Sequence, residues 1–174
     1  MQISQTREQI KALSALQANA EIHSITLLSC NVLRAKAGTK FQEPYSVKPV
    51  VSNIASSRQN GFLVVEVSFE YSAWDSSEPS ERLFQVNCTF EASYQLSPEY
   101  SPTPEQVSSF CRGTALFNCW PYAREFLRDI TSRIGHQTPT LPLLRIVPRK
   151  VDPAAQETIE TTATMAEISE GEED

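Results

Sequence analysis

Leu63, Val65, Val67, Phe69 and Tyr71 alternate with Val64, Glu66, Ser68, Glu70 and Ser72 along one stretch of the chain. Further on, Phe84, Val86, Cys88, Phe90, Ala92, Tyr94 and Leu96 alternate with Gln85, Asn87, Thr89, Glu91, Ser93 and Gln95. A period of two gives each segment one oily and one wet face, which predicts two long antiparallel strands joined by a turn at residues 75–81. Ile22 to Arg34, rich in Ile, Leu, Val and Thr, reads as another strand, followed by a polar, Pro-containing loop over residues 37–49. Val50 to Ser57 reads as a further strand or as the start of the next one, broken at the Asn60-Gly61 turn signal.

The period becomes helical at both ends. From Ser4 to Ala20, Ile10, Leu13, Leu16 and Ala20 mark the apolar side of an amphipathic helix, with Ser4 or Thr6 as its N-cap. After Leu96, Thr103 stands as an N-cap, Pro104 as the first helical residue and Gln106 at the capping-box position. Val107, Phe110, Cys111 and Thr114 form the apolar side of that helix, and Gly113 predicts that it is short. Pro121 is expected to open a second helix, with Ala123, Phe126, Leu127, Ile130 and Ile134 buried and Arg124, Glu125, Arg128, Asp129 and Arg133 solvated. Gly135 follows as the C-terminal cap. Leu141 to Val147 is a short apolar segment interrupted by Pro142, and no aromatic residue occurs from Arg149 onward. The expected organisation is an N-terminal helix over residues 1–20, an α+β domain over 21–148 and a disordered acidic tail over 149–174.

Charge sharpens that division. Lys150 to Asp174 hold eight of the 21 acidic residues and one of the 15 basic ones, so the net charge of −6 belongs to the tail and the body sums to +1. No basic surface for nucleic acid is indicated. The five glycines are too scattered for a phosphate-cradling loop, and the two histidines, His23 and His136, lie far apart, so neither a nucleotide nor a metal cofactor is expected. Cys30, Cys88, Cys111 and Cys119 form no Cys-x-x-Cys pair and are expected as buried, reduced thiols, with zinc binding or catalysis as alternatives. Met1 to Lys11 lacks the apolar core of a signal peptide, and the longest apolar runs, such as Phe62 to Val65, are far too short to span a bilayer. These features predict a soluble, cytoplasmic protein without membrane insertion.

Phe117-Asn118-Cys119-Trp120-Pro121-Tyr122-Ala123-Arg124-Glu125, then Ser132-Arg133-Ile134-Gly135 and the apolar Leu141 to Ile146, resemble the SecB family of export and SecB-like chaperones. The likeness is specific over residues 104–147, and the upstream strands agree in order and pattern. It implies a four-stranded antiparallel sheet with helices packed on one face, assembled into a homotetramer as a dimer of dimers. It also implies an ATP-independent holdase, not an enzyme, that binds unfolded or non-native polypeptides along apolar grooves. Phe69, Tyr71, Trp74, Phe117, Trp120 and Phe126 are the groove candidates under this reading. The Trp-Pro-Tyr motif reads equally as a staple setting the helix against the sheet.

The resemblance implies a partner downstream as well, either a translocation motor in protein export or an antitoxin in a toxin–antitoxin system. In the export type a Cys- and His-bearing, zinc-binding tail takes part in engaging the motor, whereas residues 149–174 contain neither residue. Their acidic run suits a basic partner or simply solubility. Two other classes stand beside the holdase. One is an enzyme using Cys111 or Cys119 with His136 or His23, and the other is an assembly protein with one fixed partner.

Overall fold

The computed structural model describes residues 2–34, 45–75, 82–135 and 139–148. The expected tail over 149–174, most of the 75–81 turn and His136 lie outside the described residues. In chain order the elements are β1 (Gln2–Gln5), α1 (Arg7–Gln17), β2 (Ala20–Arg34), β3 (Tyr45–Gln59), β4 (Phe62–Asp75), β5 (Arg82–Leu96), α2 (Pro104–Phe110), α3 (Leu116–Arg133) and β6 (Arg145–Pro148). A π-helical turn, Cys111–Ala115, connects α2 to α3.

The principal sheet has four strands in the order β2-β5-β4-β3, all neighbours antiparallel. The two strands with strict alternation occupy the centre, where one face can be fully covered. Leu63, Val65, Val67 and Tyr71 of β4 and Val86, Ala92 and Tyr94 of β5 are almost completely buried on that face. Asn60 and Gly61, both at positive φ (49° and 82°), form the tight hairpin between β3 and β4. This is the left-handed conformation that Asn-Gly supplies at low cost, and its twist matches the flanking strands. β3 begins at Tyr45, so the sequence-based loop is shorter than expected at its C-terminal end. Pro49 is accommodated because β3 is an edge strand, where a missing N–H need not break a ladder.

Both capping boxes form. Thr6 Oγ1 accepts from the Gln9 N–H at 3.2 Å while Gln9 Oε1 accepts from the Thr6 N–H at 2.9 Å, and Thr103 and Gln106 repeat the arrangement. Thr6 is thus the N-cap, and the residues before it, including Ser4, are not helical. Gln2–Gln5 form β1, which pairs in parallel with β6 in a second, two-stranded sheet. The N-terminal helix is therefore no separate unit, because Leu13 and Leu16 sit in the common core.

The helical segment departs further from expectation. α2 is short, as Gly113 suggested, but the chain does not leave the helix: the Leu116 N–H reaches back to the Cys111 carbonyl, the five-residue step of a π turn. α3 then begins at Leu116, and Pro121 lies inside it instead of opening it. Proline's fixed φ suits a helix, and its main penalty is the lost donor to the carbonyl of Phe117. Burial of Leu116, Cys119, Trp120, Ala123 and Leu127 along one stripe offsets that loss. Gly135 caps the end at φ 78°, with its N–H donating to Ser132 O at 3.1 Å. The surface pairs Glu125–Arg128 (3.7 Å) and Asp129–Arg133 (2.8 Å) also form, in exposed positions where each contributes at most about 0.5 kcal/mol.

Two buried phenols test the energetics of this core. The Tyr94 hydroxyl accepts from Asn118 Nδ2 at 3.1 Å, whereas the Tyr71 hydroxyl has no hydrogen-bond partner among the described residues. Tyr71→Phe should leave the protein as stable or raise its stability by up to about 1 kcal/mol, because it removes an unpaired buried polar group. Tyr94→Phe should lower stability by about 1 kcal/mol and strand the Asn118 amide. Urea unfolding of the two variants checks the opposite signs.

Candidate functional site

Trp120 ties three layers together. Its ring lies 5.8 Å from that of Phe69 on β4, and its Nε1–H donates to the Pro142 carbonyl at 3.2 Å. The segment carrying Leu141 and Leu144, both buried, is thereby held against α3 and the sheet. The staple reading of the Trp-Pro-Tyr motif is the one the geometry supports.

This decides where the groove candidates lie. Phe69, Tyr71 and Trp120 are at most 2% exposed and belong to the core of the protomer, out of reach of any other chain in this conformation. Alternation identifies the apolar face of β4, but α3 covers that face. Trp74 and Phe126 are half-buried, and Phe117 is 51% exposed. The six are not brought together into one groove. Phe126 instead packs with its ring 6.2 Å from Phe90, and Tyr122, 51% exposed, lies 6.5 Å from the same ring.

Two apolar surfaces remain at the edges of the helical layer, and neither coincides with the candidate set. On the β3 side an open hollow of about 920 Å³ separates the edge strand from α2 and the π turn. Val51, Ile54 and Leu63 form one wall, and Val107, Cys111 and Leu116 the other. Arg58 crosses one end, its guanidinium donating to Ser101 Oγ at 3.3 Å. Among the described residues β3 pairs only with β4, so its outer edge presents backbone groups beside the hollow. On the β2 side, Ile22 and Leu27 face the helical layer opposite Tyr94 and Phe90, yet remain 48% and 43% exposed. Leu28 lies at a bulge in the same strand and is 53% exposed. α3 sits over the central strands and stops short of β2.

Burial pushes the Cys111 thiol upward, partly opposed by hydrogen bonding with Ser56, which is the reverse of an activated nucleophile. Cys119 has no exposed surface and is pushed up to about 12 by burial alone. Among the described residues, no group of three or more His, Cys, Asp and Glu is placed to hold a metal ion, and no helix is long and apolar enough to cross a membrane. All four cysteines are free, but Cys30 is exposed, against the expectation that every thiol is buried. It sits on the helix-facing side of β2, directly opposite Cys88.

No family model matches the chain, and no curated protein is similar enough to match it. Among solved structures it is similar to the Mycobacterium tuberculosis SecB-like chaperone Rv1957, determined in complex with a ChAD peptide from the Rv1956 HigA1 antitoxin. The TM-score is 0.69 at 21% identity, over 79% of this chain and 98% of that one. A Streptococcus agalactiae protein of unknown function gives a TM-score of 0.41 at 8% identity, over 71% of this chain and 97% of that one. The architecture is therefore that of a SecB-like chaperone: a four-stranded antiparallel sheet with helices on one face, in an α+β protein.

Two outcomes follow for the thiols. Iodoacetamide at neutral pH should label Cys30 alone in the folded protein, with Cys88, Cys111 and Cys119 reacting only after unfolding, as peptide mass mapping would show. Cys88 and Cys119 are raised from an ordinary 9.0 to about 12, so above pH 9 the unfolded chain releases protons that the folded chain keeps. Stability from this source is fully present below pH 9 and falls as pH rises toward 12. Urea midpoints measured from pH 8 to 11 should decline over that range, and Cys119→Ala should flatten the decline.

Proposed function

We propose that the chain is an ATP-independent chaperone that holds unfolded or non-native polypeptides in the hollow between β3 and α2, and that it works in the cytoplasm as a homotetramer, a dimer of dimers. The observation that carries this reading is the hollow itself: a trough lined by Val51, Ile54, Val107 and Leu116 together with Ser52, Asn53, Ser56 and Arg58, running beside a strand edge that has no partner among the described residues. Such a site takes an extended segment, matching backbone to backbone along β3 and apolar side chains to Val51, Ile54, Val107 and Leu116. Apolar area gains about 25 cal/mol per Å² removed from water, and ordering of the client offsets much of it, so a single segment binds weakly. Several hollows in one oligomer raise affinity for a long chain through effective concentration.

The oligomer has support in the opposite edge. β2 is 15 residues long, carries Ile22, Leu27, Leu28 and Leu33 about half in water, and among the described residues pairs on one side only. A second copy aligned along β2 covers these side chains and satisfies the edge. Phe117, half in water on α3, belongs with such interfaces and not with the hollow. The reading assigns no catalytic step and no cofactor.

A second reading, a chaperone dedicated to one partner such as an antitoxin, is favoured by the peptide bound in the Mycobacterium tuberculosis structure. Delivery to an export motor draws support only from the sequence likeness. One experiment separates the two favoured readings: several unrelated, chemically unfolded proteins are diluted with and without the full chain, no nucleotide added, and aggregation is followed by light scattering. A holdase suppresses aggregation of all of them near one tetramer per client. Ile54→Asp should weaken that suppression about tenfold or more, because a client would then desolvate a carboxylate. Leu143→Asp, at a position 65% exposed and outside the hollow, should leave it unchanged. Suppression of none of the clients would replace the general holdase with the dedicated partner.

A further inference from the structure

The charges that line the hollow between β3 and α2 are both positive: Arg58 at one end and Arg112 on the π turn, with no carboxylate among the lining residues. The ion pairs among the described residues belong to Arg128 and Arg133, so neither hollow arginine is neutralised by one of them. The same chain carries a surplus of the missing charge. Lys150 to Asp174 hold eight acidic residues against one basic one. Within that stretch Ile159, Thr161, Ala163 and Met165 alternate with Thr158, Glu160, Thr162 and Thr164, the period-two pattern of an extended segment with one less polar side. Thr and Ile both favour such a backbone.

The chain also leaves the fold at a suitable place. Pro148, the last residue of β6, pairs with Gln5, next to the N-cap of α1, and α1 packs against α2. Packed helices lie about 10 Å apart, whereas residues 149–158 span up to about 33 Å when extended. The alternating stretch is therefore within reach of β3 of its own chain.

We propose that residues 159–165 of this chain occupy the hollow as an added strand on the β3 edge, and that a client must displace them to bind. The proposal rests on the reading of the hollow as a site for extended segments, and it adds the regulation of that site. Ile159 and Met165 enter against Val51, Ile54 and Val107, while the carboxylates of Glu157, Glu160 and Glu167 answer Arg58 and Arg112. Two large apolar side chains bind weakly by themselves, but the tether raises their effective concentration to the order of mM. A segment richer in large apolar residues removes more area from water and takes their place. Occupancy by the tail thus sets a threshold, admitting unfolded chains and turning away polar ones.

The probe is a fluorescein-labelled, uncharged peptide of alternating Val and Thr, and its binding to the full chain is followed by anisotropy. Ile159→Asp combined with Met165→Asp should tighten binding about threefold or more, because the competing segment is lost. Arg58→Glu combined with Arg112→Glu should tighten it likewise, since the probe has no charge to repel. Adding Glu157→Lys, Glu160→Lys and Glu167→Lys to that arginine variant should restore the weaker binding. As a direct readout, the full chain carrying Ile159→p-benzoylphenylalanine is irradiated, and links within one chain to residues 51–58 or 104–116 are expected, suppressed by excess probe. Equal probe affinity in all forms, or links only to other parts of the protein, would overturn tail occupancy and leave the hollow as a client site. Probe binding by none of the forms would remove the reading of the hollow itself, and the proposal with it.

Discussion

One packing constraint organises the molecule. The central strands β4 and β5 carry a continuous apolar face, and α3 covers it together with α2 and the π turn. Trp120 makes that cover specific: its ring meets Phe69 on the sheet, and its indole N–H holds the Pro142 carbonyl of the segment beyond the helix. A large aromatic with one polar handle is suited to this position, because the ring fills volume while the N–H finds a partner and leaves no buried donor unpaired. Aromatic packing extends the contact sideways, from Phe69 to Phe90 and from Phe90 to Phe126, so the sheet and α3 share one cluster.

A helical layer centred on β4 and β5 is narrower than a sheet of four long strands, and the consequences appear at the two edges. On the β3 side α2 and the π turn stand off from the strand and leave a trough. On the β2 side Ile22 and Leu27 remain 48% and 43% exposed. The same geometry that fills the middle of the core leaves apolar side chains unburied at its flanks, next to strand edges that carry unpaired backbone groups. A fold of this shape leaves apolar side chains and strand edges open at its flanks, which is what the proposed function fills with other chains.

How far this was readable in the sequence depends on whether the signal is local. The strands β4 and β5, both capping boxes, the Asn60-Gly61 hairpin and the Gly135 cap each rest on residues within one element, and each forms as the pattern indicates. The helix through Pro121 was misread because proline as a start signal and proline inside a well-buried helix look the same locally. Burial of Leu116, Cys119 and Trp120 decides between them, and that is tertiary information. β1 was missed because four residues offer little alternation and their partner, β6, lies at the far end of the fold. The burial of Phe69 and Tyr71 has a related reason: strand periodicity marks an apolar face but cannot say whether a helix covers it. The hollow draws its walls from β3, the start of β4, α2, the π turn and the start of α3, segments that only the fold assembles. Val51 and Ile54 on a strand and Val107 at helical spacing were the available traces.

The opposite face of the sheet fits the proposal that association takes place at the edges. Glu66 and Glu91 stand directly across from one another on β4 and β5, and Glu70 lies further along the same face. Like charges in that position cost a few tenths to about 1 kcal/mol, a penalty tolerable only where water screens it. Ser68 and Thr89, hydrogen-bonded at 2.9 Å beside them, continue the polar surface. A second sheet stacked on this face would strip water from carboxylates with no cation opposite them, at a cost far above the apolar area gained. Under the proposed function, exposed apolar groups meet other chains at β2 and β3, and the glutamates of the other face disfavour stacking of sheets. An edge-binding protein needs that division between its faces, since an apolar edge without a charged face beside it would favour aggregation over reversible binding.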